Sequence, residues 1–408
     1  MLPDVVPRGG VRMRSNHRLT PPLGTTSDRP IYLDHHATTP VDPRVLRKML
    51  PYFSEKFGNA SSGSHSFGRD ALKAVQIART EAAKLIHASS EEIIFTSGAT
   101  EANNLALKGA AHALKGKGRH IVTLATEHKS VLDPLKRLEM DGFEITRLPV
   151  DGEGFVSMEM FEKSLRSDTI LVSVMWANNE TGVIQPIQKL ARLTQNKSIL
   201  FHTDAVQGAA YCVMDMRKTA VDLLTFTAHK IYGPKGAGAL YIRKREPNIR
   251  LLPLLDGGGQ EKGLRSGTLN IPALVGFGEA CRLCRTTRKN EIKRVGRLRD
   301  CLKNGLAQKV RSFRVNGSEK ARLPNNLNIS FKGVRSADLF DRLPDIALSS
   351  GSACLSTSPE PSHVLKAMGV EEGFRWGAVR FGLGRFTPQK DIDRVIARFA
   401  SVLPRKGK

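Results

Sequence analysis

Ile199-Leu200-Phe201-His202-Thr203-Asp204-Ala205-Val206-Gln207 is an apolar, β-branched run that ends in a carboxylate and an amide. Twenty-six residues after Asp204, the run Val221-Asp222-Leu223-Leu224-Thr225-Phe226 ends in Thr227-Ala228-His229-Lys230. Both read as strands of an open α/β sheet, whose carboxyl ends converge on one crevice. That geometry brings one carboxylate and one amine together. The pair suits pyridoxal 5'-phosphate, with the lysine forming a Schiff base and the aspartate keeping the pyridine nitrogen protonated. An ordinary strand-end Asp and a surface Lys in a Gly-Pro turn explain the same residues, because strand ends are commonly polar.

Outward from this pair, short β-rich runs alternate with helical patterns, as in a parallel sheet covered by helices on both faces. The expected strands are 92–95, 119–124, 143–148, 169–176, 199–204, 221–227 and 237–242. The expected helices are 42–54, 66–87, 100–114, 129–140 and 187–195. After about residue 275 the texture changes to a long basic helix, strands at 326–331, 346–349 and 379–383, and a last helix over 389–403. This predicts a smaller α+β domain.

Several of these strand ends carry chemistry. Glu92-Ile93-Ile94-Phe95 runs into Thr96-Ser97-Gly98-Ala99-Thr100-Glu101 and then a helix; free amides and the helix dipole there favour a phosphate. His128 follows the strand 119–124 and could stack on a ring or transfer a proton. Asn178-Asn179-Glu180-Thr181-Gly182 ends a further strand. Arg265-Ser266-Gly267-Thr268 lies in a Gly-rich loop. Arg380 sits inside an apolar strand, where it needs a counter-charge; a substrate carboxylate and an internal salt bridge serve equally. Ser349-Ser350-Gly351-Ser352-Ala353-Cys354 ends another strand, and a thiol on a Gly/Ser loop suggests a nucleophile that must travel.

Composition sets the boundaries. The 408 residues suffice for two domains, and 40% hydrophobic with 25% charged residues fits a soluble globular chain. No apolar stretch approaches the length of a membrane helix. Five cysteines in a chain this long do not make a disulfide framework; a reducing, cytoplasmic setting is expected, and Cys281-x-x-Cys284 reads as structural, not as a metal site. The net charge is +24. It concentrates between Cys281 and Arg314, where twelve Lys/Arg face only Glu291 and Asp300. This reads as a solvated helix face; base-stacking aromatics are not interleaved, so nucleic acid is not the expected partner. Residues 1–29 carry five Arg, four Pro and three Gly and read as a basic, disordered leader. If it is a presequence, the destination is mitochondrial or plastid.

Taken together, Tyr32-Leu33-Asp34-His35-His36-Ala37-Thr38-Thr39-Pro40, Thr96 to Glu101, Thr126 to Ser130, Asn178 to Gly182, Asp204 to Gln207, His229 to Gly236, Arg265 to Thr268, Ser349 to Cys354 with Glu360 to Leu365, and Arg380 to Arg385 resemble the cysteine desulfurases of the NifS/IscS type. The resemblance runs in order over residues 31–390. It implies the aspartate-aminotransferase-like pyridoxal-phosphate fold of type I, with a mainly parallel seven-stranded sheet in a large domain (40–286). The small α+β domain would comprise 30–39 and 287–408. It implies that Lys230 is the Schiff-base lysine, Asp204 pairs with the pyridinium and His128 stacks on the ring. Gln207 and Asn179 would contact the ring hydroxyl and the substrate. Ala99, Thr100, Thr227 and His229 would hold the phosphate, with Thr268 from the neighbouring subunit of a homodimer. Arg380 would bind the carboxylate of L-cysteine, and Cys354 would take its sulfur as a persulfide, leaving alanine. A sulfur acceptor such as an iron–sulfur scaffold protein is the implied partner. The long Cys loop matches the group that hands sulfur to scaffolds, while the chain stops at Lys408 without the longer tail some members use to dock one. Other enzymes of this scaffold, such as aminotransferases or selenocysteine lyases, would keep Lys230, Asp204 and Arg380 without needing Cys354.

Overall fold

The computed structural model describes residues 30–351 and 362–404. Cys354, Glu360 and the leader lie outside the described residues. The first strand, β1 (Ile31–Tyr32), pairs in parallel far along the chain with β11 (Ile346–Ala347). The main sheet has seven strands in the order β2-β8-β7-β6-β5-β3-β4: β2 (Ile93–Thr96), β3 (His120–Leu124), β4 (Glu144–Leu148), β5 (Thr169–Ser173), β6 (Leu200–Asp204), β7 (Leu223–Thr227) and β8 (Gly238–Ile242). β8 runs antiparallel to both neighbours, and the other pairs are parallel. The central strands are buried along their whole length, as continuous apolar runs covered on both faces must be. Polar residues within them are bonded across the sheet: His202 meets Ser173 Oγ at 2.9 Å and Thr225 Oγ1 at 3.2 Å.

Helices cover the sheet. On one face α4 (Ala99–Leu114) sets Ala102, Leu105 and Ala106 against Ile121, Leu171 and Leu240, with α5 (Lys129–Met140) beside it. The other face holds α3 (Ser66–Leu85), α7 (Ile187–Asn196) and the first half of α8 (Ile271–Lys309). α3 and α8 pack closely because Gly278 has no side chain; a Cβ there would lie 2.6 Å from Ala78 Cα. The short helices α1 (Pro43–Met49), α2 (Pro51–Ser54) and α6 (Met158–Ser164) complete this part. The edge strand β2 is closed by Glu261, which accepts from Phe95 N at 2.7 Å and is ion-paired with Arg79.

A second hydrophobic cluster holds Leu33, Val295, Leu302, Ile329, Phe381 and Phe399. It is built from the antiparallel sheet β12-β10-β9, that is β9 (Phe313–Val315), β10 (Asn326–Phe331) and β12 (Ala378–Gly382), with α12 (Gln389–Val402) and the second half of α8. α9 (Ser336–Arg342) adds Leu339 to it, whereas α10 (His363–Ala367) puts Val364 and Leu365 into a separate small cluster with Val370 and Ala378, against which Phe374 of α11 (Glu372–Arg375) packs. α8 contributes Cys284 to the first core and Val295 to the second.

Some boundaries differ from the sequence expectation, each for a local reason. The helix expected over 42–54 divides at Leu50, since Pro51 has no amide to continue the ladder. The strand expected over 169–176 stops at Ser173. Beyond it the Met175 amide bonds the buried Glu127 carboxyl at 2.8 Å. The basic helix expected over 281–314 begins at Ile271, capped by Asn270, and ends at Lys309, with Phe313 to Val315 forming β9. Cys281 and Cys284 are buried one helical turn apart as free thiols, and burial pushes both upward in pKa. Among the described residues no helix is long and apolar enough to cross a membrane, and no group of three or more His, Cys, Asp or Glu could hold a metal.

Candidate active site

A cavity of about 620 Å³ opens at the carboxyl ends of β3, β6 and β7, with Arg380 of β12 on its far side. Asp204 ends β6, and its carboxylate accepts from Val206 N at 3.0 Å and from Asn103 Nδ2 at 2.8 Å. Two neutral donors therefore hold the charge without cancelling it. β7 ends in Thr227, and the tight turn after it delivers Lys230. Lys230 Nζ donates to Ala37 O at 2.7 Å and to His36 O.

The other end of the cavity is built for an anion. Gly98 starts α4, and no side chain caps the first amides of that helix; Ala99 and Thr100 line the cavity. Amides left without intrahelical partners and the positive end of the dipole make such a terminus an anion site. Glu101, in the same turn, is turned to Ser97 N and to Arg265, at 2.9 and 3.0 Å. His229 and Lys235 also line this end. Burial, with the charges of Lys230 and Lys235, lowers the His229 pKa to about 4. Thr227 lines the cavity too, and its hydroxyl donates to Ala237 O at 2.9 Å.

His128 caps α5, with its Nδ1 accepting from Ser130 N at 3.1 Å. Burial, with the charges of Lys230 and His363, lowers its pKa, against a rise from Asp204. Gln207 is oriented by His36: its Oε1 lies 2.8 Å from His36 Nδ1 and its Nε2 donates to His36 O at 3.1 Å. His36 is buried, and this lowers its pKa to about 3.

Arg380 is 1% exposed. Its Nη2 pairs with Asp34 Oδ1 at 2.8 Å, and its Nη1 donates to Asn179 O at 3.0 Å. The internal salt bridge foreseen as one alternative is thus present, and Arg380 still lines the cavity. Asn179 lines it beside Arg380, on a turn organised by Asn178 Oδ1, which accepts from Glu180 N and Thr181 N, both at 2.9 Å. Thr268 is exposed and does not line the cavity of its own chain. Cys354 lies outside the described residues, but its flanks Gly351 and Ser362 both lie against Glu180, and Ser362 Oγ donates to Glu180 Oε2.

The cavity thus gathers Asp204, Lys230, His128, Gln207, Asn179, Ala99, Thr100, Thr227, His229 and Arg380. Sequence reasoning singled out the stretches that contain Asp34, His36, Glu127 and Ser130 but gave those residues no role, and it missed Asn103. Asn103 gave one usable signal, an amide interrupting the apolar face of α4 one turn after Thr100. Burial, with the charge of Asp204 adding to it, pushes the Glu127 carboxyl well above the usual range.

The sequence pattern of the aminotransferase class-V family matches residues 31–395. The chain is 53% identical over 367 residues to cysteine desulfurase IscS of Anaeromyxobacter sp. (strain Fw109-5), covering 90% of this chain and 91% of that one. A solved NifS-like protein superposes with a TM-score of 0.85 at 38% identity, covering 91% of this chain and 99% of that chain. A structure described as SspA in complex with cysteine gives a TM-score of 0.76 at 34% identity, covering 88% and 100%.

Proposed function

The chain belongs to the aminotransferase class-V family, and on that premise we propose that its cavity binds pyridoxal 5'-phosphate and removes the sulfur of L-cysteine, leaving alanine. The observation that carries this is the convergence of Asp204, Lys230, His128 and Arg380 on one cavity. The likeness to desulfurases over nine-tenths of the chain selects the substrate.

The residues fit the cofactor. Asp204 offers a carboxylate supported only by neutral donors in the hydrogen bonds above, and Lys230 offers an amine in the same cavity. The uncapped start of α4 with His229 suits the phosphate, and the orientation of Gln207 set by His36 leaves an amide proton for a ring hydroxyl. Asn179 Oδ1 is buried without a hydrogen-bond partner, as is Arg380 Nε. Such groups are costly unless a ligand completes them. When bound, the cofactor supplies an electron sink for the pair released from the Cα–H bond.

The protein groups then divide the work. Arg380 and Asn179 fix the carboxylate of L-cysteine, which orients its Cα toward Lys230 Nζ. Lys230 takes the Cα proton, and His128, which lines the same cavity, assists the proton transfers. Cys354 gives up its thiol proton and attacks the substrate sulfur; the Cβ–S bond breaks and an S–S bond forms on the enzyme. Cβ takes up the proton that Cys354 released, and the proton held by Lys230 returns to Cα, which gives alanine. The persulfide passes to an acceptor protein, for which iron–sulfur assembly is the expected use. Thr268, exposed on its own chain, supports a homodimer in which it completes the phosphate site of the other subunit. The separate cluster around Ile329 and Phe381 supports a small domain beginning within α8.

The test is alanine and sulfide release from L-cysteine with a reductant, beside Cys354→Ser. Wild-type turnover, lost in a variant that keeps the yellow cofactor absorbance, is expected. A fully yellow wild type that forms no alanine overturns the substrate assignment.

A further inference from the structure

We propose that Asn103 and Ser130 are positioning residues that hold His128 as a neutral imidazole protonated only at Nε2, so that it offers Nε2–H as a hydrogen-bond donor and does not accept a proton at Nδ1. The catalytic meaning of this rests on the function proposed above; the tautomer itself does not.

The assignment follows from counting donors, since the hydrogen-bond network sets a histidine tautomer. The Ser130 backbone amide lies 3.1 Å from His128 Nδ1. An amide N–H can only donate, so Nδ1 presents a lone pair and the ring proton resides on Nε2. Ser130 Oγ lies 2.8 Å from the same nitrogen, and Asn103 Nδ2 lies 2.8 Å from that oxygen. The same Asn103 nitrogen lies 2.8 Å from Asp204 Oδ2. If the amide were turned over, its oxygen would face the carboxylate, acceptor against acceptor; Asp204 therefore fixes its orientation. One Asn103 proton goes to Asp204 and the other to Ser130 Oγ, which turns its own proton onto His128 Nδ1. Every donor points the same way, from Asn103 outward.

The network is buried: Asn103 is 0% and Ser130 8% exposed. Asn103 Oδ1 has no partner, so this amide is kept for its two protons at the expense of its oxygen. The groups that act electrostatically on His128 from its surroundings are Asp204 and Asp133, which favour the charged ring, and Lys230 and His363, which oppose it; burial opposes it most. Protonating Nδ1 would set two N–H groups against each other and break the cap of α5. Asn103 also joins the Asp204 carboxylate to the His128 imidazole through Ser130, so that both depend on one side chain.

Nitrogen-15 shifts of the histidine rings in the labelled holoenzyme test this, with the His128 signals identified by their loss in His128→Gln. The expected result is an unprotonated Nδ1 and a protonated Nε2 between pH 7 and 9. Ser130→Ala and Asn103→Ala keep the backbone amide donor to Nδ1 but lose the side-chain one, so the ring should remain mainly protonated at Nε2 and gain a minor Nδ1-protonated population. The acid limb of kcat/KM should move to higher pH, because Nδ1 becomes easier to protonate. kcat/KM should fall on the order of tenfold, below the full contribution of a positioned acid. Ser130→Thr, which keeps the hydroxyl, should restore both the limb and the shifts. A wild-type ring protonated at Nδ1 overturns the proposal, as do variants whose ring shifts and acid limb stay at wild-type values. The shifts need no turnover, so they decide the tautomer even if L-cysteine proves not to be the substrate.

Discussion

On one side of the cavity Asp204 is supported by neutral donors, the Val206 amide and Asn103 Nδ2; on the other, Arg380 is ion-paired with Asp34 at 2.8 Å. The two walls handle buried charge in opposite ways. Donors that carry no charge hold the aspartate in place and leave its charge for a cationic partner from outside. A charged neighbour has already spent much of the attraction of the arginine, so an incoming carboxylate must share the guanidinium with Asp34. On the function proposed above, the difference follows what each wall would receive. A resident group needs a site that is incomplete without it, whereas a substrate that must leave is served by a cation with an alternative partner.

The largest expected effect lies on the cofactor side. Asp204→Asn keeps the shape but removes the charge, and turnover of L-cysteine should fall on the order of 10²–10³-fold, the scale of one preorganised electrostatic group. Steady-state kinetics with the cofactor content checked by absorbance measures this; a loss under threefold would break the comparison at its stronger end. Asp34→Asn should act differently. It leaves Arg380 buried with Asn179 O as its remaining bonded partner in the pair described, and should lower stability by about 3 kcal/mol, as when one partner of a buried pair is removed. The same change should lower KM for L-cysteine a few-fold, since the competing carboxylate is gone. A denaturant midpoint and a KM that rose together would refute the sharing of Arg380.

How much of this could be read from the chain depended on distance along it. Asp204, His128 and Lys230 were legible because each follows an apolar run that could only be a buried strand, and Arg380 because a cation interrupts such a run. Asp34 was not legible as its partner, since 346 residues separate the two and no local pattern carries that register. Asn103 left only a faint trace, an amide interrupting the apolar face of α4, because a single amide does not say what it bonds until tertiary packing brings Asp204 and Ser130 to it. The start of α8 escaped because Ile271 to Ala280 is apolar or small on nearly every side. That stretch is buried between α3 and the sheet, and an all-round apolar run shows no amphipathic period. Its end escaped for the opposite reason: basic residues continue past Lys309 to Arg314 with no change of composition.

Acid sharpens the comparison further. Burial lowers the pKa of His36 to about 3, followed by the charges of Arg380 and Lys230, and that of His229 to about 4, where Lys230 and Lys235 add to it. A histidine held neutral in the folded state and titrating near 6.5 when unfolded binds fewer protons folded than unfolded between those values. Its contribution is complete above about pH 6.5 and is lost as pH falls toward about 4. Each such group can remove up to about 1.4 kcal/mol per pH unit in that window. Urea midpoints at pH 7.5, 6 and 5 should fall progressively, and His36→Asn should flatten the fall. An equal slope in that variant would mean that the Gln207 side of the cavity does not depend on a neutral His36.

The smallest effect concerns a methyl group. The hydroxyl of Thr227 donates to Ala237 O at 2.9 Å from a fully buried position. Thr227→Ser keeps that donor in a residue that lines the cavity. Only the methyl is lost, so stability should fall by about 1 kcal/mol, the cost of one buried methyl with partial relaxation, and kcat should stay within about twofold. Thr227→Val makes the opposite exchange, keeping the volume and deleting the hydroxyl. If the hydroxyl matters to the anion end of the cavity, this variant should lose affinity for the cofactor, read by its release on dialysis, while the serine variant does not. Were the serine variant the weaker of the two, the methyl would be acting as a rotamer lock at the end of β7. The preorganisation of the cofactor wall would then extend from its hydrogen bonds to its packing.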